Sequence, residues 1–214
     1  MYLEDLPKDV SSCFTNKVVK KEELFKEELL ICKDYEQVRF IDFVRGRYCA
    51  HKCLSQITKA QAIEKDQNGA PIWPNGMTGS ISHIKEYAGA IVAKKENYLS
   101  MGMDIEQIGR ITSDLWPVIF THNEMNYLRK FSYQSQKKVS TLFFSMKEAY
   151  YKMQYPLIKS EIENDDIEVV LSGNDVQFEI KNSNLVKLKP ENSIAMYQIK
   201  PPLITSILLL KNGR

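Results

Sequence analysis

The 214-residue chain has no long hydrophobic run. Its longest apolar stretch, "LITSILLL" at residues 203–210, is too short to span a bilayer and suits a buried strand, so no membrane partner is expected. An excess of one charge is also missing. Lys and Arg number 29 against 27 Asp and Glu, a net +2 that lacks the strongly basic footprint of a general nucleic-acid binder. The four cysteines (Cys13, Cys32, Cys49 and Cys53) show no disulfide-framework spacing, which points to reduced thiols in a cytoplasm. After Met1 come Glu4, Asp5, Lys8 and Asp9 where a secretory leader would place an apolar segment, and this also favours a cytoplasmic chain. Low-complexity tracts and sequence repeats are absent. What is present, 43% apolar and 26% charged residues, describes a globular protein able to bury a core.

The segment at residues 19–35 is charged and weakly helical, and a stronger helix is expected over residues 37–56, where Phe43, Ala50, Leu54 and Ile57 recur at helical spacing. "KDQNGAPIWPNG" (65–76) is a loop by its Gly and Pro content. Strand-like "GSIS", "YAGAIVA" and "LSMGMDIEQI" follow, the last two joined by "KKENY", which has the look of a hairpin connection. Thr121 and Glu124 have capping-box spacing for a helix start, and a longer helix is expected over residues 134–153. After Pro156 the chain turns to β, with "IEVVLS", a "GND" turn, "VQFEI", "IAMYQIK" and "LITSILLL". Helices followed by antiparallel strands thus occur twice. The pattern is α+β in two halves, residues 1–107 and 108–214.

"MGMDIEQI" (101–108) poses a physical question. In a strand, Asp104 and Glu106 project to one face while Met101, Met103 and Ile105 project to the other. Two carboxylates held side by side raise each other's pKa, so a cation should relieve them, or the pair is simply on a wet surface. A third carboxylate stands out in "TLFFSMKEAYYKM" (141–153). Leu142, Met146, Ala149, Tyr150 and Met153 form an apolar stripe, and Glu148 points away from it beside Thr141, Ser145 and Lys152. Alone, Glu148 and Lys152 make an ordinary helical ion pair. Together with Asp104 and Glu106, Glu148 suggests three oxygen ligands for a hard divalent cation such as magnesium.

In "RFIDFVRGRYCAHKCL" (39–54), Arg39, Phe43 and Arg47 step by four along one side of a helix, and Arg45 lies about 200° from Arg47. Arg47 falls on the apolar stripe, an odd place for a permanent charge unless an anion meets it; phosphate is the natural guess, and a snorkelling arginine the alternative. His83 follows the short strand "GSIS", where Gly79, Ser80 and Ser82 could offer backbone N–H groups to an anion. A hydrogen-bonded structural histidine is the plainer account. "CAHKC" is not a zinc site, because His51 lies across the helix from Cys49 and Cys53 and no second ligand pair exists.

Taken in order, "GRYCAHKCL", "GAPIWPNGMTGSISH", "MGMDIEQI" and "FSMKEAYYK" resemble the Sfp-type 4′-phosphopantetheinyl transferases, most of all the enterobactin-synthesis subgroup and its actinobacterial relatives. The resemblance implies an enzyme that moves phosphopantetheine from coenzyme A to a serine of an apo acyl- or peptidyl-carrier protein and releases 3′,5′-ADP. It implies two similar α+β halves with pseudo-two-fold symmetry, an active site in the cleft between them, and a monomer. Asp104, Glu106 and Glu148 match the family's magnesium ligands, and Lys147 and Lys152 its flanking lysines, Lys152 toward coenzyme A phosphate. Arg39, Arg47 and His83 match residues for the 3′-phosphate, Ser82 the pyrophosphate-side loop, and Lys65 aligns loosely with a further basic residue. Met103 and Lys52 depart from common family choices. Glu148 is the expected general base, directly or through a metal-bound water. Siderophore, non-ribosomal peptide, polyketide and fatty-acid carriers all stay open. The rival readings are a magnesium-dependent nucleotide or coenzyme A pyrophosphate hydrolase and a non-catalytic carrier-binding module.

Overall fold

The structure, a computed structural model, describes residues 5–173 and 175–213. It is α+β, and its contacts divide it into two compact units between Ser100 and Met101, seven residues before the sequence-based boundary. Among the described residues, no helix is long and apolar enough to cross a membrane.

The first unit contains β1 (Ser11–Thr15), a single 3-10 turn (Lys21–Glu23), α1 (Lys26–Ile31) and α2 (Gln37–Ile57). Two short strands follow, β2 (Glu64–Lys65) and β3 (Pro71–Ile72), then the longer β4 (Met77–Ile84) and β5 (Tyr87–Lys94). Strands β1, β5 and β4 form an antiparallel sheet in that order, with Ala90 opposite Cys13 on one side and Ile81 on the other. Helix α2 lies on this sheet, and Cys49, Ala50, Cys53 and Leu54 pack against Ala90 and Val92. The small residues of β5 let the helix come close enough for the Cys49 and Cys53 thiols to donate to the Ala88 and Ala90 carbonyls, at 3.6 and 3.4 Å. The cysteines are core packing, as their spacing suggested. The "KDQNGAPIWPNG" loop holds the two-residue β2–β3 pairing, Glu64 opposite Ile72 and Lys65 opposite Pro71.

The strand β6 (Tyr98–Gln107) leads into the second unit, followed by α3 (Trp116–Ile119), α4 (His122–Leu128) and α5 (Tyr133–Ile158). The unit ends with β7 (Ile167–Ser172), β8 (Asp175–Ile180), β9 (Ser193–Lys200) and β10 (Leu203–Lys211). The sheet order is β6-β10-β9, with β7 and β8 as a separate hairpin. The "KKENY" link is therefore not a hairpin. Strand β5 pairs with β1 and β4, while β6 pairs with β10, roughly a hundred residues further on. The actual hairpin is β4–β5, turning at Lys85 and Glu86. Central β10 is buried from Leu203 to Leu210, which is why it reads as a continuous apolar run. Helix α5 packs on it through the expected stripe of Leu142, Met146, Ala149, Tyr150 and Met153. It runs five residues past its expected end. Pro156 falls in its last turn, where its missing N–H forfeits one helical bond but only two helical residues follow it, and Lys159 closes the helix in the left-handed conformation, φ 51°.

Candidate functional site

The acidic group lies within the second unit. Asp104 and Glu106 sit on one face of β6 and are both buried, at 3% and 5% exposure, so they are not a wet surface pair. Gly102 occupies the same face. A Cβ there would lie 1.8 Å from the Ala149 carbonyl oxygen and 2.7 Å from the Met153 nitrogen. Glycine at 102 is what lets the strand lie against the α5 backbone, and α5 is the element that carries Glu148 and Lys152.

Lys152 Nζ donates to Asp104 Oδ1 at 2.7 Å. The expected i,i+4 partner Glu148 also feels this ammonium: burial raises the Glu148 pKa, Lys152 opposes the rise, Asp104 adds to it, and Arg110 opposes it. Glu106 is pushed up to about 7, chiefly by burial and then by the Asp104 charge, with Arg110 and Lys152 pulling it back. Arg110, four residues beyond Glu106, chelates its carboxylate through Nη1 at 3.0 and 3.2 Å. The cation that two adjacent acids require is thus partly supplied by the chain itself. Sequence reading missed Arg110, although its spacing from Glu106 was the available signal. The donor set, three carboxylates with two of them holding protons unusually tightly, suits a hard divalent ion. Among the described residues, however, no three His, Cys, Asp or Glu side chains are gathered into a ready-made metal site.

Lys147 points elsewhere. Its three ammonium hydrogens have three acceptors, Glu124 Oε2 at 2.8 Å and the Ile119 and Asn164 carbonyls at 3.1 Å each. Burial lowers its pKa and the Glu124 carboxylate opposes that change. Glu124 is fully buried, and its own pKa is raised by burial. A cavity of about 300 Å³ beside Lys147 and Glu148 is walled by Tyr151, Glu161, Glu163 and Asn164.

A second cavity, of about 420 Å³, lies within the first unit and is lined by Arg39, Arg47, Lys65 and His83 together with Tyr35, Asp42 and Phe43. Four of the five residues proposed for this half from the sequence thus face one space. The fifth, Ser82, is buried in β4 between two of the lining residues, Ile81 and His83. The cations are mounted on aromatic faces. The Arg39 guanidinium is 4.3 Å from the Tyr35 ring centroid, Arg47 is 4.7 Å from Phe43, and Lys65 Nζ is 5.2 Å from Tyr35. Lys65 also donates to the Tyr35 hydroxyl at 2.5 Å. His83 Nδ1 lies 3.7 Å from Asp42 Oδ2, and its side chain is half exposed. Arg47 does have an anion on its stripe, and it is internal: Glu28 Oε1 lies 3.5 Å from its Nε. Burial lowers the Arg47 pKa to about 10, and Glu28 opposes the drop. Arg45, on the other side of α2, donates to the Lys17 and Lys85 carbonyls. Three cations and two aromatic platforms thus line one space, a lining whose chemistry suits an anion.

Two family models match consecutive stretches of the chain. The 4′-phosphopantetheinyl transferase N-terminal domain matches residues 26–93 and the 4′-phosphopantetheinyl transferase superfamily matches residues 100–194, which together take in all ten candidate residues. The chain belongs to the 4′-phosphopantetheinyl transferase superfamily. Among curated relatives, it is 36% identical to the 4′-phosphopantetheinyl transferase Npt of Nocardia iowensis over 61% of this chain and 58% of that protein. It is 28% identical to Svp of Streptomyces mobaraensis over 69% and 61%. It is 30% identical to enterobactin synthase component D of Salmonella typhi over 53% and 47%. The matches therefore span about half to three-fifths of these relatives' own lengths. A Thermotoga maritima holo-[acyl-carrier-protein] synthase structure aligns with a TM-score of 0.40 and 13% identity, over 53% of this chain and 64% of that one.

Proposed function

We propose that this protein transfers 4′-phosphopantetheine from coenzyme A to a serine of an acyl- or peptidyl-carrier protein, releasing 3′,5′-ADP. The observation that carries the reading is the pairing of chemistries in a chain of this superfamily: a cationic, aromatic-backed pocket on one unit and a buried carboxylate group with its own lysine on the other. Arg39, Arg47, Lys65 and His83 bind the nucleotide end of coenzyme A, with Arg39 and Arg47 offering guanidinium forks to the 3′-phosphate. Asp104, Glu106 and Glu148 would hold magnesium, which supplies positive charge to the pyrophosphate when bound.

The carrier serine oxygen attacks the phosphorus that bears the pantetheine arm. A new P–O bond forms as the bridging P–O bond to the departing nucleotide breaks, and the serine proton passes to Glu148. A carboxylate whose proton affinity is raised by burial serves as a base near neutral pH better than an exposed one. Lys152 stabilises the charge that develops on departing 3′,5′-ADP. The protein acts as a monomer on carrier domains such as those of siderophore and non-ribosomal peptide synthesis. The test is intact-mass analysis of apo-carriers after incubation with coenzyme A and magnesium. Phosphopantetheinyl addition is expected, and Asp104→Ala or Glu148→Gln should slow it by about a hundredfold or more with the fold intact. Near-wild-type rates in either variant would overturn the assignment of these acids. Release of 3′,5′-ADP without a carrier would instead identify a hydrolase.

A further inference from the structure

We infer that Glu28 is the positioning residue of the anion pocket, fixing Arg47 and the strand that bears Lys65 without itself touching the ligand. This rests on the reading of that pocket as the nucleotide site. Glu28 has no exposed surface and is not among the residues lining the cavity. Its carboxylate gathers donors from three separate segments. Oε2 accepts the Phe25 N–H at 3.0 Å, while Oε1 accepts the Ile63 N–H at 3.0 Å and bonds His51 Nε2 at 2.9 Å; Arg47 Nε, at 3.5 Å, is held as an ion pair without a hydrogen bond. A carboxylate offers no hydrogen, so His51 Nε2 is the donor.

The links to the pocket are direct. Ile63 immediately precedes β2, whose second residue is Lys65. The carbonyl of Glu64, the first residue of β2, accepts from Arg47 Nη2 at 3.4 Å. One buried carboxylate thus sets both the guanidinium of Arg47 and the backbone that delivers Lys65. The second unit repeats the construction. Glu124 is the third residue of α4, as Glu28 is of α1, and accepts the N–H three residues back, from Thr121 at 2.8 Å. It also accepts the Val169 N–H at 2.7 Å and pairs with Lys147 of the long helix at 2.8 Å. In both units a glutamate at the start of a short helix ties a cation of the long helix to a strand. In both units the tied cation also lines a cavity, Arg47 that of the first and Lys147 that of the second.

Calorimetric binding of 3′,5′-ADP, which needs neither carrier nor transfer, supplies the test. Glu28→Gln keeps the side chain's size and removes its charge. Its affinity for 3′,5′-ADP should fall at least tenfold, while binding of 5′-AMP, which lacks the 3′-phosphate, changes less than twofold. Because Glu28 acts through Arg47, adding Glu28→Gln to Arg47→Ala should cost less than a further threefold. Glu28→Gln affinity within twofold of wild type, or an equal loss with and without Arg47, overturns the inference. If circular dichroism finds Glu28→Gln unfolded, Glu28→Asp, which retracts the charge by one methylene, should lose at least threefold; unchanged affinity overturns the inference. Wild-type protein that binds 3′,5′-ADP yet transfers nothing to any carrier sinks the enzymatic reading alone. Wild-type protein that fails to bind it sinks both.

Discussion

Asp104 and Glu106 are two carboxylates on the same face of one strand, and the strain between them shows on Glu106, whose pKa is pushed up to about 7 by burial and by its neighbour's charge. A carboxyl that holds its proton more tightly folded than unfolded stabilises the protein fully below the ordinary carboxylate range. That contribution fades as the pH rises through about 7. The size is on the order of 3 kcal/mol across that interval. In metal-free protein, raising the pH from 5 to 8 should therefore lower the wild-type Tm by several degrees more than that of Glu106→Gln, which has nothing to ionise. Adding millimolar magnesium at pH 8 should restore the wild type and leave the variant unmoved. Parallel melting curves for the two proteins, whatever the pH, would show that Glu106 is not strained. Arg110 limits the effect: it chelates Glu106 at 3.0 and 3.2 Å, yet its side chain is 60% exposed and most of its attraction is lost to solvent.

Strand β6 and helix α5 meet where a side chain has no room. Gly102→Ala places a methyl group 1.8 Å from a backbone oxygen of α5, a clash that neither regular element can relieve by a rotamer change. It should cost at least about 3 kcal/mol, near the top of the range for overpacked sites, read as a lower denaturant midpoint by circular dichroism. A loss below about 1 kcal/mol would mean the helix can slide off the strand. The same two elements show what a linear pattern can and cannot carry. Helices α2 and α5 and strand β10 were legible because apolar spacing is a local property of the sequence. The pairing of β6 with β10 was not, since nothing in "KKENY" tells that the partner strand is a hundred residues away. Glu28 was hidden for the same reason. A glutamate in a charged, weakly helical segment looks solvated until Arg47, His51 and Ile63 arrive from other elements. Lys147 shows the same. The resemblance marks it only as a lysine flanking Glu148, and the sequence gives no sign that Glu124 and two backbone carbonyls accept its three hydrogens.

Across the whole molecule, the candidate residues separate by unit, and the proposed function gives each set its own role. The neighbours of Arg47 are Glu28, Glu64 and Phe43, whereas Glu148 interacts with Lys152, Asp104 and Arg110; among the described residues these two groups share no member. Substitutions in the first unit should weaken substrate binding, and those in the second should slow the chemical step. Arg47→Ala is expected to raise KM for coenzyme A at least tenfold and to have little effect with 3′-dephospho-coenzyme A, because the phosphate it would clasp is already gone. Glu148→Gln is expected to lower kcat and leave KM within a fewfold of wild type. Residues without shared partners contribute additively, to within about 0.5 kcal/mol. The Arg47→Ala/Glu148→Gln double variant should therefore lose the product of the two single losses in kcat/KM, measured with purified carrier and saturating magnesium. A coupling larger than about 1 kcal/mol, in either direction, would mean that nucleotide binding repositions the catalytic carboxylates. The division between a binding unit and a chemical unit would then have to be abandoned.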